Sequence, residues 1–251
     1  MTAPTTDPRP ETPRTDRDAG HWARPVDRLS AAGVAGAKDD AVTGKRLSGP
    51  LQGFGQLWQK TFTVRLEDAN VSPTELIAHW KANFPTFWPE GQRFYAPLSG
   101  IEPGEVALLE IAPVPGAPVT FSTGVLVLYA DEESFTFANP EGHILSAWIT
   151  FSARRDGDVT VAQAQALERA SDPFDELGYM LGGNRYNDRF WETTLRNLAA
   201  SIGVETPLVE TDVVCIDRNR QWRYWRNVRN SATIRSARRT LTAPFRKITG
   251  G

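Results

Sequence analysis

Between Leu57 and Leu66 the chain alternates, with Trp58, Phe62, Val64 and Leu66 at even positions and Gln59, Thr61, Thr63 and Arg65 between them. A period of two marks a half-buried strand. The period then changes. Ser72 stands before Pro73 with Glu75 following, the pattern of a capped helix start with proline at its first position. Leu76, Ile77, Trp80 and Phe84 recur at helical spacing, and Pro85 ends the helix. Between Pro85 and Pro103 runs a connection carrying Phe87, Trp88, Phe94 and Tyr95, which predicts a loop packed over the domain. From Val106 the signals are all strand: Val106–Ala112, Val119–Ala130, Ser134–Ala138, Ile144–Ala153 and Val159–Leu167. Their links are short turns such as Pro140-Glu141-Gly142 and Asp156-Gly157-Asp158, and short links join antiparallel neighbours. A short helix from Asp172 to Leu181, a stop at Gly182-Gly183 and an N-cap at Asn184 come next. A long helix over Arg185–Ile202 then places Phe190, Trp191, Thr194, Leu195, Leu198 and Ile202 on one broad face.

A meander of five or six strands with one apolar face needs a cover, and the last helix is the large amphipathic one. The predicted fold class is therefore α+β, a curved antiparallel sheet around a long C-terminal helix. This order resembles the START-like or polyketide-cyclase-like (helix-grip) superfamily. The segments FTFANPEGHILSAWITFSA (Phe135 to Ala153) and DPFDELGYMLGGNRYNDRFWETTLRNL (Asp172 to Leu198) carry the resemblance, and they look like a bacterial branch of it. The likeness spans roughly Leu57 to Val204. It implies a ligand cavity between sheet and helix, in a superfamily of lipid carriers, hormone binders and cyclases. After the first helix the family usually has a second short helix, where this chain has the aromatic loop.

The division expected along the chain is a flexible segment over 1–50, a helix-grip domain over 51–208 and a basic tail over 209–251. Pro4, Pro8, Pro10, Pro13 and Pro25 interrupt the first segment, and its apolar residues are sparse. No apolar run reaches the ~18 residues that span a bilayer. The expected location is cytoplasmic, peripheral to the membrane if the tail binds lipid. The one cysteine, Cys215, precludes an internal disulfide. Net charge is −2, yet Arg218 to Lys247 holds ten cations and no acid, so the rest of the chain carries twelve more acids than bases.

Chemistry is sparse. His21, His79 and His143 stand in no zinc-binding spacing, and no nucleophile elbow, Walker loop or dinucleotide fingerprint is present, so no metal, cofactor or catalytic residue is expected. His143 reads either as part of a solvated hairpin turn or as a base or donor at a cavity rim. In Val159–Leu167, Gln163 and Gln165 share one face and Ala162, Ala164 and Ala166 the other; the glutamines point to water, or inward to orient a ligand. Candidate ligand-binding residues are Tyr129, Phe137, Trp148, Gln163, Gln165, Phe190 and Thr194. Val125 to Tyr129 is apolar on both faces, so the convex side calls for another subunit in a homodimer, the aromatic loop or a tail.

In the tail, Arg220, Trp222, Arg223, Trp225, Arg226 and Arg229 combine cations with interfacial aromatics. Such a segment can bind an anionic membrane, contact nucleic acid, dock on the acidic body or stay solvated; no recognised nucleic-acid fold accompanies it. The function expected is non-catalytic binding of a small hydrophobic or lipid-like ligand, with the tail at a membrane surface. The alternatives are a cyclase- or hydratase-type enzyme using His143 and nearby carboxylates, and an interaction module with a filled core.

Overall fold

The structure, a computed structural model, describes residues 19–31, 41–67, 69–112 and 120–235. Val119, residues 1–18 and 32–40 of the expected lead-in and the Arg-rich end after residue 235 lie outside the described residues. Strand β1 (Leu57–Leu66) spans the alternating segment, with Phe62, Val64 and Leu66 buried on one face. Helix α1 (Pro73–Asn83) begins in a capping box: Ser72 Oγ accepts from Glu75 N–H, and Ser72 N–H donates to Glu75 Oε2 at 2.8 Å. Its buried residues are Leu76, Ile77 and Trp80. A 3₁₀ turn over Phe84–Phe87 leads into β2 (Arg93–Tyr95), a short strand inside the aromatic loop.

β3 (Val106–Ile111), β4 (Phe121–Ala130), β5 (Ser134–Ala138), β6 (Leu145–Asp156) and β7 (Val159–Ala170) continue the meander. After β7 come α2 (Pro173–Gly178), a π-helical turn over Tyr179–Gly183, α3 (Asn184–Ser201) and β8 (Val209–Asp217). All pairs are antiparallel, in the order β2-β3-β4-β5-β6-β7-β1-β8. The fold is α+β and helix-grip, a curved eight-stranded antiparallel sheet with α3 against its concave face. Leu195, Leu198 and Ala199 of α3 are buried there with Phe62, Phe135 and Phe151. The inner face of β7 is Ala162, Ala164 and Ala166, small enough for helices to approach closely. The aromatic loop joins this core through Phe87, Trp88 and Phe94, with Phe84 and Phe94 4.9 Å apart edge to face.

Three expectations are corrected. Asn184 is not an N-cap: Gly183 is already helical, and the chain kinks one residue earlier at Gly182, φ +131°. The lead-in is not separate from the domain, because Leu29, Ala31, Ala41 and Val42 are buried over Val106, Leu108 and Leu126 on the convex side. Trp22 packs edge-on against Tyr129, and Ala23 N–H donates to Leu128 O at 2.9 Å. Gly124 permits this layer, since a Cβ there would meet Val42 Cγ2 at 2.6 Å. The strand apolar on both faces is thus covered by its own chain, which removes the reason for placing a second subunit there. The third correction is the boundary at 208, because β8 pairs along β1 from Val209↔Val64 to Asp217↔Leu57.

Beyond β8 the chain stays on the body as a 3₁₀ helix (Trp222–Asn230). Gln221 N–H donates to Phe54 O at 2.7 Å, Asn227 Nδ2 to Gln52 O and Ser171 O at 2.9 Å, and Ala232 N–H to Gly142 O at 2.8 Å. Arg220 Nε reaches Glu176 Oε1 at 2.9 Å. Of the readings of the tail, docking on the acidic body is the one seen over these residues. No helix among the described residues is long and apolar enough to cross a membrane.

Candidate functional site

The sheet's concave face is filled by aromatic side chains at one end and left open at the other. There α2, the π turn and the first turns of α3 roof a cavity of about 710 Å³. Its floor is Leu109, Val125, Phe137, Ala147 and Ile149, and its roof includes Phe174, Tyr179, Leu181, Phe190 and Trp191. Thr233 of the docked tail also lines it, so the C-terminal segment supplies part of one wall.

The polar groups gather where Asn139, just past β5, lies beside Ala147 of β6 and so near Glu168 of β7. Lys60, Glu168 and Asp188 form a buried ion cluster: Lys60 Nζ stands 3.3 Å from Glu168 Oε1 and pairs with Asp188, and it donates to Asn184 Oδ1. Glu168 Oε1 also accepts from Tyr179 Oη at 2.6 Å and Asn187 Nδ2 at 2.9 Å. Lys60 lies 5.1 Å from the centre of the Tyr179 ring, a cation–π contact. Burial, with Glu168 beside it, raises the Tyr179 phenol well above its ordinary range and keeps it a donor.

Next to this cluster His143 is buried. Its Nδ1 lies 3.0 Å from Leu145 N, 3.1 Å from Asn139 Nδ2 and 3.1 Å from Leu145 O, so all its side-chain hydrogen-bond contacts are within its own turn. Burial lowers its pKa to about 4, so the ring is neutral at pH 7. Asp172 Oδ1 caps α2 by accepting from Phe174 and Asp175 N–H. Asp175 Oδ1 accepts from Thr233 Oγ1 at 2.9 Å. Burial, then the neighbouring Asp172, raises Asp175 to about 8, so it is mostly protonated at neutral pH. No group of three or more His, Cys, Asp or Glu among the described residues is arranged to hold a metal ion.

Of the seven ligand-binding candidates, Phe137 and Phe190 line the cavity. Thr194 is buried but spends its hydroxyl on Phe190 O, 2.9 Å away in its own helix. Tyr129 lies against Trp22 in the outer layer. Trp148 is 44% exposed, on the outer face beside Gly49. Gln163 and Gln165 share that outer parity, and Gln165 Nε2 donates to Thr61 Oγ1 at 3.2 Å. The tail candidates stay together, with Trp222 5.1 Å from Phe54 and Arg226 over the Trp225 ring.

Neither a family model nor a curated protein matches the chain. Solved structures that resemble it include protein Ms6760 from Mycobacterium smegmatis, 12% identical over 57% of this chain and 89% of that one, TM-score 0.41. Major latex-like protein 151 from Panax ginseng is 15% identical over 60% of this chain and 100% of that one, TM-score 0.39. The di-domain ARO/CYC StfQ from the steffimycin biosynthetic pathway is 10% identical over 59% of this chain and 51% of that one, TM-score 0.42.

Proposed function

We propose that the protein binds a small, largely apolar molecule in the cavity under α2 and α3, and that the rim of this cavity meets an anionic membrane surface together with the tail. The observation that carries the first half is the cavity itself: about 710 Å³ with a mostly apolar wall and a few polar groups at one edge. Sites for small molecules have this size and this division of labour. A filled-core interaction module would leave no such space. A catalytic reading needs an oriented base, and the hydrogen-bond partners of His143 are Asn139 and Leu145, not a carboxylate.

The second half rests on the rim. Phe174, Leu177, Met180 and Leu181 are all more than half exposed within a single α2–π segment, and Phe174 and Leu181 also line the cavity. Clustered exposed apolar residues mark an interaction surface, whereas scattered ones do not. Arg220 ties the tail to this rim through Glu176 and through Met180 Sδ at 3.2 Å. Trp222, Trp225, Arg223, Arg226 and Arg229 are exposed beside that tie. Apolar rings flanked by cations suit the boundary of an anionic bilayer, where each cation contributes on the order of 1 kcal/mol.

Native mass spectrometry of gently purified full-length protein tests the cavity. A bound small molecule is expected, and Ala147→Phe, which projects a ring into the space, is expected to lose it while melting as a folded protein. A bare wild-type chain that takes up no added apolar probe rejects the reading.

A further inference from the structure

Lys60 is already surrounded by acceptors of its own protein, two of them hydrogen-bonded and the third an ion-pair partner. An ammonium group donates three hydrogen bonds, and Lys60 Nζ, fully buried, already faces Asn184 Oδ1, Asp188 Oδ1 and Glu168 Oε1. Tyr179 Oη is spent on the same Glu168 oxygen. The acceptors are not all used. Glu168 Oε1 accepts from Tyr179 and Asn187 and pairs with Lys60, while Oε2 takes no donor among the described residues and is not among the polar atoms sealed off without a partner. The side chain is 3% exposed and borders the cavity. The cluster pits one cation against two carboxylates and so carries a formal excess of one negative charge.

We propose that Glu168 Oε2 is the docking point for a hydrogen-bond donor of the ligand, so that the cavity selects apolar molecules ending in a hydroxyl or an amino group. This deepens the cavity reading above and rests on it. A carboxylate or phosphate at this edge would meet Glu168 where Lys60 is already paired with two carboxylates, and an anion buried without a partner is strongly disfavoured. A hydroxyl or ammonium group would make a charge-assisted bond, stronger than a neutral one. Arg185 and Arg189 also line the cavity, but they are exposed, and water screens their charge. His143 presents a neutral ring and does not offset the excess.

Three probes of one shape test this: naphthaleneethylamine, naphthaleneethanol and naphthaleneacetate, titrated calorimetrically into the full chain at neutral pH. The amine and the alcohol are expected to bind at least ~10-fold more tightly than the acetate, about 1.4 kcal/mol. Glu168→Gln should erase the preference of amine over acetate. Tyr179→Phe, which removes a donor from Oε1 and keeps the charge, should preserve or enlarge it. Acetate binding as tightly as the other two in the wild type overturns the proposal and leaves the cavity reading standing. So does an unchanged preference in folded Glu168→Gln; should that variant not fold, the wild-type ratio and Tyr179→Phe decide. If no probe binds and the native spectrum is bare, the cavity reading falls and takes this proposal with it.

Discussion

Lys60 Nζ lies 3.3 Å from Glu168 Oε1 on the buried face of the sheet, where their side chains are 0% and 3% exposed. Lys60 points inward because it shares parity with Phe62 and Val64 on β1, and Glu168 because it shares parity with Ala164 and Ala166 on β7. Removing one member of a buried pair strands the other, at about 3–5 kcal/mol. Lys60→Met should therefore cost about that much in urea melts, since it leaves Glu168 and Asp188 facing each other. Glu168→Gln should cost less, because Asp188 still pairs with Lys60. The reverse order would mean that the cluster is not held as described.

Asp175 and His143 make opposite demands on pH. Asp175 titrates near 8 in the fold against an ordinary 3.8, so the folded state holds its proton longer and its contribution to stability falls from about pH 4 to 8. His143 titrates near 4 against an ordinary 6.5, so its contribution is complete above 6.5 and is lost as pH falls toward 4. Below 6.5 the two trends oppose each other; between 6.5 and 8 only that of Asp175 remains. Urea midpoints stepped through pH should show Asp175→Asn flattening the upper interval, whereas His143→Gln changes only the lower one.

Full-length protein should sediment with phosphatidylglycerol vesicles and far less with phosphatidylcholine. Raising salt to ~0.5 M should weaken this, because the Debye length then falls well below 10 Å. Met180→Ser with Leu181→Ser should reduce binding several-fold at unchanged charge, as should Trp222→Ala with Trp225→Ala. Absence of binding at low salt rejects the membrane half of the proposal.

Gly142 has φ +83°, and a Cβ there would sit 2.0 Å from Asn230 O. Gly142→Ala should thus lift the tail off the body, besides about 1–2 kcal/mol of left-handed strain. Trypsin should then cut faster at Arg223, Arg226 and Arg229. Gly157→Ala is the control: its φ is +61° with nothing within 4 Å, so it carries the strain and should leave the cleavage unchanged. Equal cleavage in the two variants would mean that the tail is not held at Gly142.

The sheet and both main helices could be read from the sequence because period carries them. What period does not carry is a polar residue on the apolar face. Lys60, between Trp58 and Phe62, and Glu168, just beyond the apolar run of β7 that ends at Leu167, both have inward parity, yet neither adds to an apolar pattern. Trp148 is the opposite case, a large apolar ring that shares parity with Ser146, Thr150 and Ser152 on the outer face. Gln163 and Gln165 stood on the face that the alanines left to water. β8 was hidden because an edge strand held by β1 alone shows little apolar pattern: Glu210, Thr211 and Asp212 follow Val209. The tail showed its arginines, whereas backbone groups, Asn227 and Thr233 do much of the anchoring, and those leave no signature.

Sheet order also fixes an order in time. Among the strands of the described residues, β1 is the first to leave the ribosome, but its neighbours β7 and β8 are the last. Until they appear, the Phe62–Leu66 face has no strand beside it, and pairings this distant in the chain form slowly. A nascent chain therefore carries an open, aggregation-prone edge through most of its synthesis. Thr233 emerges later still, so the cavity lacks that part of its wall until the docked segment has been made.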